Sequence, residues 1–154
     1  MEVNFAKTKD LDEILAIKRQ SHKYFAHYLP QIYKASHIVY TFDFLSSFFN
    51  DKDKRILVSR WNGKIIGFAF IELVSVMLPM MTTRKYVYIH DIAVDERYRN
   101  NGAASELLLY AEEFGRDFGA DKIELAVHLF NKNAISIYEK KGFRARTVRM
   151  EKQI

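Results

Sequence analysis

The chain has 154 residues with 49% apolar and 14% aromatic side chains and a formal net charge of +5, which excludes a disordered or fibrous protein and fits one globular domain over residues 1–154. The absence of cysteine excludes disulfides, thiolate metal sites and cysteine nucleophiles. The sequence has no signal-peptide core and no run of about 18 apolar residues, so we expect a soluble cytoplasmic protein, and its positive charge is compatible with an anionic ligand.

The first fifty residues predict a strand followed by two helices. Residues 3–7 (VNFAK) are β-prone, and residues 8–25 carry apolar side chains at helical spacing, with Thr8 or Asp10 as the N-cap. A second, shorter helix is predicted over residues 41–51 (TFDFLSSFFND).

The middle of the chain predicts a β-hairpin and a further strand. Residues 54–76 contain two β-rich runs around Asn62-Gly63, a dipeptide that strongly favours a two-residue hairpin turn. Residues 77–84 (MLPMMTTR) are expected to form a loop, and residues 85–94 (KYVYIHDIAV) predict a strand.

Four further elements complete the predicted fold: a helix over residues 102–118 that ends near Gly119, a strand over 122–127, a helix over 131–142 and a last strand over 143–154. The predicted order is β-α-α-β-β-β-α-β-α-β. Because a hairpin is antiparallel and a strand-helix-strand unit should be parallel, we expect an α/β fold with a mixed sheet flanked by helices.

The junction before the helix at 102–118 is small and basic, with the sequence RNNGAA at residues 99–104. A helix N-terminus presents unpaired backbone N–H groups, and glycine and alanine let a phosphate approach them closely. Arg97 and Arg99 add positive charge. The junction therefore suits a phosphate or pyrophosphate, although it lacks the P-loop and dinucleotide fingerprints. The alternative is a tight turn that uses small residues for packing.

The segment from Arg99 to Ala104 resembles the Arg/Gln-x-x-Gly-x-Gly/Ala signature of the GNAT superfamily, the acyl-CoA-dependent N-acetyltransferases. The strand end IAV precedes this segment as it does in the family. Downstream, VHLFNKNAISIYEKKGF is similar to the second half of the family pattern, in which the matching residues are Asn131, Ala134, Tyr138, Gly142 and Phe143. The resemblance is closest from Tyr88 to Phe143, and it implies a GNAT-like fold with acetyl-CoA as cosubstrate.

The resemblance also implies which residues hold the cofactor. The residues whose backbone would bind the coenzyme A pyrophosphate are Arg99, Asn100, Asn101, Gly102, Ala103, Ala104 and Ser105. The strand end with Ile92, Ala93 and Val94 is implied to splay from its neighbour and to pair with the pantetheine amides. Asn131 is implied to hydrogen-bond the cofactor arm. Ala104 departs from the commoner glycine, which leaves the fold unaffected but bears on affinity.

The implied reaction is acetyl transfer from acetyl-CoA to an amine, which must lose a proton before it attacks. Tyr138 matches the family tyrosine that protonates the leaving thiolate, and its alternative role is core packing on a short amphipathic helix. A backbone N–H group, that of Val94, is expected to hold the oxyanion.

Three residues are candidates for the base. His90 lies two residues before the strand end, and an unperturbed histidine titrates near pH 6.5, well placed for a base. Glu72 on the neighbouring strand is the rival, and Asp91 is a third choice that would alternatively orient a charged substrate. The alternatives are a hydrogen-bonded histidine within the sheet and a solvent-facing edge position for the glutamate. Simple alternation predicts two faces for this strand: Tyr88, His90 and Ile92 on one, Asp91 and Ala93 on the other.

Other parts of the chain predict packing more than chemistry. His22, His27 and His37 have no acidic or histidine partner at i+4, so we expect surface residues and no metal site. The aromatic first fifty residues predict core packing or, as in the family, one wall of the acceptor pocket. The methionines of the loop at 77–84 favour contact with a ligand or with a second subunit of a homodimer.

Two further functions compete with the enzyme. A nucleic-acid-binding module is compatible with the charge and the aromatic residues, but the basic residues are scattered and no recognition helix stands out. A CoA-binding domain without catalysis is the second, and the presence of both Tyr138 and Asn131 counts against it. For an acetyltransferase the acceptor stays open between a small-molecule amine, a protein amine, and an amine on RNA or a ribosomal protein.

Overall fold

The computed structural model describes residues 1–154, and its strands are β1 (Glu2–Phe5), β2 (Lys54–Trp61), β3 (Lys64–Val76), β4 (Arg84–Val94) and β5 (Lys122–Leu125). Its helices are α1 (Leu11–Tyr28), α2 (Phe42–Asn50), α3 (Ala103–Asp117) and α4 (Lys132–Lys140). The strands form one sheet in the order β1-β2-β3-β4-β5, antiparallel throughout except for the parallel pair β4-β5. The predicted α/β fold with a mixed sheet is confirmed.

The hairpin between β2 and β3 turns where the sequence predicts. Asn62 and Gly63 have φ angles of 50° and 79°, and Trp61 pairs with Lys64 across the two-residue loop. Positive φ at both positions is what a type I′ turn requires, and asparagine and glycine are the residues that tolerate it. The turn sets the register of β3, the central strand of the sheet.

Each face of the sheet carries its own core. On one face α3 packs Leu107, Leu108 and Ala111 against Ala69 and the strands around it. On the other face α1 and α2 cover a second cluster, whose buried members are Ile14, Ile17, Phe48, Ile56, Val58, Ile65, Phe68 and Phe70. The near-continuous apolar run of β3 follows from this, because both of its faces are covered.

A glycine lets α3 lie close to β4. A Cβ atom at Gly115 would come within 2.8 Å of Val87 Cγ2, closer than such atoms approach in practice. The sequence pattern gives no sign of this role, because a glycine inside a helix is otherwise merely destabilising. This contact sets the distance between α3 and β4.

The predicted last strand is wrong, because residues 143–154 form no strand. Val148 and Met150 are 74% and 89% exposed, and Arg146 joins the sheet only through Glu124 at 3.2 Å. Arginines alternate with few apolar residues here, so pairing with β5 would bury little apolar surface. None of the helices is both long and apolar enough to cross a bilayer.

The start of α1 also differs in detail from the prediction. Thr8 and Asp10 form a short 3-10 turn before the helix. The Asp10 carboxylate occupies the N-cap position, but it accepts from the Lys7 backbone N–H at 2.8 Å and pairs with Arg60 at 2.8 Å. The residue therefore fastens the helix start to β2.

Candidate active site

The junction between β4 and α3 presents a run of free backbone donors. Asn100 and Gly102 take left-handed φ angles of 63° and 86°, which turn the chain into α3. No backbone N–H from Arg99 to Ser105 has an acceptor in the protein, and the first helical bond runs from Glu106 to Gly102. Unpaired N–H groups at a helix N-terminus form a site suited to an anion.

An ion pair fixes the entry to this junction. The buried Asp95 carboxylate accepts from the Arg97 backbone N–H at 3.0 Å and from its guanidinium at 3.0 and 2.6 Å. The side-chain hydrogen bond from Arg97 lowers the pKa of Asp95 to about 2. The charge of Arg97 is thereby committed to the protein, whereas the exposed Arg99 has no side-chain partner and is available to a ligand.

Next to the junction, β4 has an open edge. β5 pairs with β4 only from Tyr86 to Ile89, while β4 continues to Val94. The strand predicted at 122–127 ends at Leu125, so the last residues of β4 have no partner on that side. Free backbone groups in this position can pair with an extended ligand as an added strand would.

Helix α4 and its N-cap carry two further predicted site residues. Asn131 Oδ1 accepts from the Ala134 backbone N–H at 3.3 Å and caps the helix, while its amide nitrogen has no partner. Tyr138 packs against Phe143 with ring centroids 5.6 Å apart. Burial and then the negative charge of Asp91 raise the pKa of Tyr138 to about 12, so its hydroxyl keeps its proton at neutral pH.

A bulge in β4 overturns the predicted alternation. Phe70 pairs with Asp91 and Ile71 pairs with Ile89, so His90 is an extra residue without an opposite partner. His90 and Asp91 consequently project to the same face, towards α1 and α2. Ile92, which was expected to share a face with His90, packs instead with the cluster under α3.

The bulge brings His90 to Glu72, so the two rival bases form one pair. His90 Nε2 lies 2.6 Å from Glu72 Oε2, and the two side chains are 30% and 28% exposed. The imidazole packs edge-on against Phe48 with ring centroids 5.5 Å apart. Glu72 is therefore a partner of His90 as well as its rival for the role of base.

Asp91 has two partners from distant parts of the chain. Lys18 Nζ and Tyr40 Oη both lie 2.5 Å from Asp91 Oδ2. Burial, the Asp91 charge and this hydrogen bond all raise the pKa of Tyr40. Only Lys18 left a signal: it lies four residues after buried Ile14, on the apolar side of α1.

The aromatic first fifty residues divide into two groups. Tyr40 and Phe44 stack at 4.9 Å beside Phe70 and belong to the core face that carries Asp91. The second group packs on His128 and Phe130 in the loop before Asn131, and its members are Tyr24, Phe25, Tyr28 and Tyr33. In this group the Tyr33 hydroxyl lies 3.0 Å from His128 Nε2. The first group confirms core packing, and the acceptor-pocket wall stays a prediction.

The family model of the GNAT acetyltransferases matches residues 18–143, which span the junction, the open strand and α4. The chain belongs to the acetyltransferase (GNAT) family. This confirms the resemblance that the motifs indicated.

Individual relatives support the same assignment for this GNAT protein. The uncharacterized N-acetyltransferase MJ1207 of Methanocaldococcus jannaschii is 29% identical over 139 residues, which are 90% of this chain and 58% of that one. A crystal structure of the BH1408 protein from Bacillus halodurans, a tetramutant, is 27% identical with a TM-score of 0.94 over 100% of both chains. The chain spans about half the length of the curated relatives it matches.

The chain shares its fold with an aminoglycoside acetyltransferase that was solved with CoA. Aminoglycoside N-acetyltransferase AAC(6')-Iy, solved with CoA, has a TM-score of 0.73 at 14% identity over 99% of this chain and 100% of that one. In this GNAT protein the junction directly follows the open end of β4. Helix α4 follows β5, which is too short to pair with the last residues of β4. Asp91 lies within electrostatic reach of Tyr138.

Proposed function

We propose that this GNAT enzyme transfers the acetyl group of acetyl-CoA to the primary amine of a small molecule or a protein. One observation carries the proposal: free backbone donors from Arg99 to Ser105 follow immediately after a strand whose edge is open. The first feature suits a pyrophosphate and the second suits the two amides of a pantetheine arm. A tight turn that served packing alone would not need an open strand beside it.

The residues have the following roles in the proposal. The backbone from Arg99 to Ser105 holds the pyrophosphate, and the open edge with Ile92, Ala93 and Val94 pairs with the pantetheine arm. The free amide nitrogen of Asn131 donates to a carbonyl of the same arm.

The chemical step needs a base, an oxyanion donor and a proton for the leaving sulfur. His90, oriented by Glu72, takes the amine proton through water, since an imidazole in contact with a carboxylate is a common base arrangement. The Val94 backbone N–H holds the oxyanion. The Tyr138 hydroxyl, with its pKa raised to about 12, donates to the leaving thiolate.

The cofactor site is tested by the thermal midpoint with acetyl-CoA, with free CoA and with ATP as a control. A ligand at a hundred times its Kd adds about 2.7 kcal/mol to the free energy of unfolding. We expect both CoA species to raise the midpoint and ATP to leave it unchanged. If neither CoA species shifts it, the junction is only a turn and the proposal fails.

Catalysis is tested separately by thiol release across a panel of amines. We expect turnover with at least one class of primary amine. A midpoint shift with CoA but no thiol release from any amine, peptide or RNA-linked amine would identify a CoA-binding domain without catalysis and reject the transferase proposal.

A further inference from the structure

The ion pair between Asp91 and Lys18 leaves one unused group on each side. Both Lys18 Nζ and the Tyr40 hydroxyl bond to Oδ2 of Asp91, at 2.5 Å each. Asp91 Oδ1 has no partner in the protein and is not enclosed. The Lys18 ammonium likewise has no second acceptor, although it carries three protons. The pair is thus a small dipole with an open acceptor and open donors.

The pair carries a positive and a negative charge side by side. Both charges are largely shielded from water, because the side chains of Lys18 and Asp91 are only 15% and 19% exposed. A simple cationic amine would meet a carboxylate that Lys18 already neutralises. A molecule with an ammonium and a carboxylate on neighbouring atoms would complete an alternating square of four charges. Charge-assisted hydrogen bonds of this kind are the strong ones, above all where water is largely excluded.

We propose that the acceptor is a free α-amino acid, whose ammonium group binds Asp91 Oδ1 and whose carboxylate binds Lys18 Nζ. The proposal rests on the transferase function proposed above and narrows its substrate class. The side chain of the amino acid would lie along Tyr40 and Phe44, which stack 4.9 Å apart beside this pair. An apolar or aromatic side chain suits these rings best.

The position of the pair fits the chemistry. Asp91 directly precedes Ile92 on the open edge of β4, so an amine held on Asp91 lies beside the bound pantetheine arm. The bulge at His90 is what turns Asp91 to the face that carries α1 and Lys18. Tyr138 lies within reach of the same carboxylate charge, at the proposed position of the leaving sulfur.

The proposed step transfers the acetyl group to the α-amino nitrogen. The ammonium loses one proton to His90 through water, and the neutral nitrogen attacks the thioester carbonyl. A C–N bond forms, the C–S bond breaks, and the nitrogen loses its second proton to water, as the proton on His90 is also released to solvent. The sulfur takes the Tyr138 proton and leaves as the thiol of CoA, and Tyr138 is reprotonated from solvent. The net products are an N-acetyl amino acid, CoA and one proton.

The test compares L-phenylalanine, L-phenylalaninamide and phenethylamine, then the other free amino acids, by thiol release with acetyl-CoA. We expect kcat/KM to be highest for a free amino acid and about 10–100-fold lower for its amide, because the amide leaves Lys18 without the carboxylate. Reactivity alone predicts the opposite order, since the amine of an amino-acid amide is less basic and more often neutral at pH 7.

Variants at Lys18 separate recognition from folding. Lys18→Met should lower kcat/KM for the free amino acid about 10–100-fold, mostly through KM, and should change the amide less than about threefold. Lys18→Arg should retain the preference for the carboxylate, and Lys23→Met at an exposed position of the same helix should behave as wild type. A normal midpoint shift with CoA shows that each variant is folded.

Two results would overturn the proposal. One is equal turnover of the amino acid, its amide and the plain amine by the wild-type protein. The other is turnover of peptides or polyamines with none of the free amino acids. In both cases the midpoint shift with CoA would persist, so the failure of this proposal is distinguishable from failure of the transferase function itself.

Discussion

The two sides of the proposed active site are built from different material. The cofactor side, from the end of β4 through α3 to α4, relies on backbone groups: free N–H donors from Arg99 to Ser105 and an unpaired strand edge. The acceptor side, under α1 and α2, relies on side chains such as Lys18, Tyr40 and His90. Backbone groups are the same in any sequence that keeps the turn, whereas side chains set specificity. The two sides should therefore be separable by mutation.

The largest effect is expected at the residue that serves the chemical step alone. Tyr138→Phe removes the donor to the thiolate, so kcat should fall about 100–1,000-fold while the Kd for CoA stays unchanged. The check is steady-state kinetics together with calorimetric binding of CoA. Because the pKa of Tyr138 is about 12, its ionisation should produce no alkaline loss of activity in the wild type below pH 10.

A negative charge at the start of α3 should break the cofactor side selectively. Ala104→Glu places a carboxylate among the free N–H groups and should raise the Kd for CoA about 100-fold or more. Leu109→Glu is the matched control, since Leu109 is 46% exposed further along the same helix. Equal weakening by both variants would mean that net charge, and not the junction, governs binding.

On the acceptor side, His90→Gln should reduce kcat/KM for the amine about 10–100-fold at neutral pH without changing the affinity for CoA. Glutamine still reaches Glu72 but cannot act as a base. The measurement is a pH–rate profile of both proteins. An unchanged profile in the variant would remove His90 from the mechanism and leave Asp91 or water as the base.

The two arginines of the junction should differ in their effects. Arg99→Ala should weaken CoA binding about tenfold, and less at high salt, because its charge is free for the ligand. Arg97→Ala should leave the affinity for CoA nearly unchanged, because Arg97 is held by Asp95. Titrations at low and high salt test the difference, which disappears if both arginines reach the phosphates.

The smallest effect concerns stability. The pKa of Asp95 is lowered to about 2 from 3.8, so its ionised form stabilises the folded state above pH 4, and this contribution is lost as the pH falls towards 2. Asp95→Asn should lower the free energy of unfolding by about 1–2 kcal/mol at pH 7, a modest value because Arg97 is exposed. Denaturation at pH 7 and at pH 2 should show the gap closing, whereas exposed Asp117→Asn should show none.

The turns on the proposed cofactor side were predictable because a left-handed backbone conformation favours particular residues. Asn100 and Gly102 stand where φ is positive, and Gly63 does so in the hairpin, so the sequence reports these turns directly. The acceptor side depends on contacts between distant residues. Lys18 is 73 positions from Asp91, and Tyr40 is 51, which no spacing pattern connects.

The errors have equally specific causes. Alternation assumes a strand without insertions, and the bulge at His90 breaks that assumption after a single residue. The residues of the predicted last strand cover no core in the structure, since Val148 and Met150 stay exposed. Alternation of residue types indicates which side chains would share a face. Whether the strand forms depends on how much apolar surface it can bury.

The open edge of β4 has a consequence for the empty protein. A strand that keeps one row of backbone groups for a small molecule offers the same row to any extended peptide while that molecule is absent. Acetyl-CoA or CoA bound at the proposed site would then also cap a surface for self-association. Purified protein should consequently stay monodisperse longer with CoA in the storage buffer, and peptides from its own unfolded chains should be its main competitors.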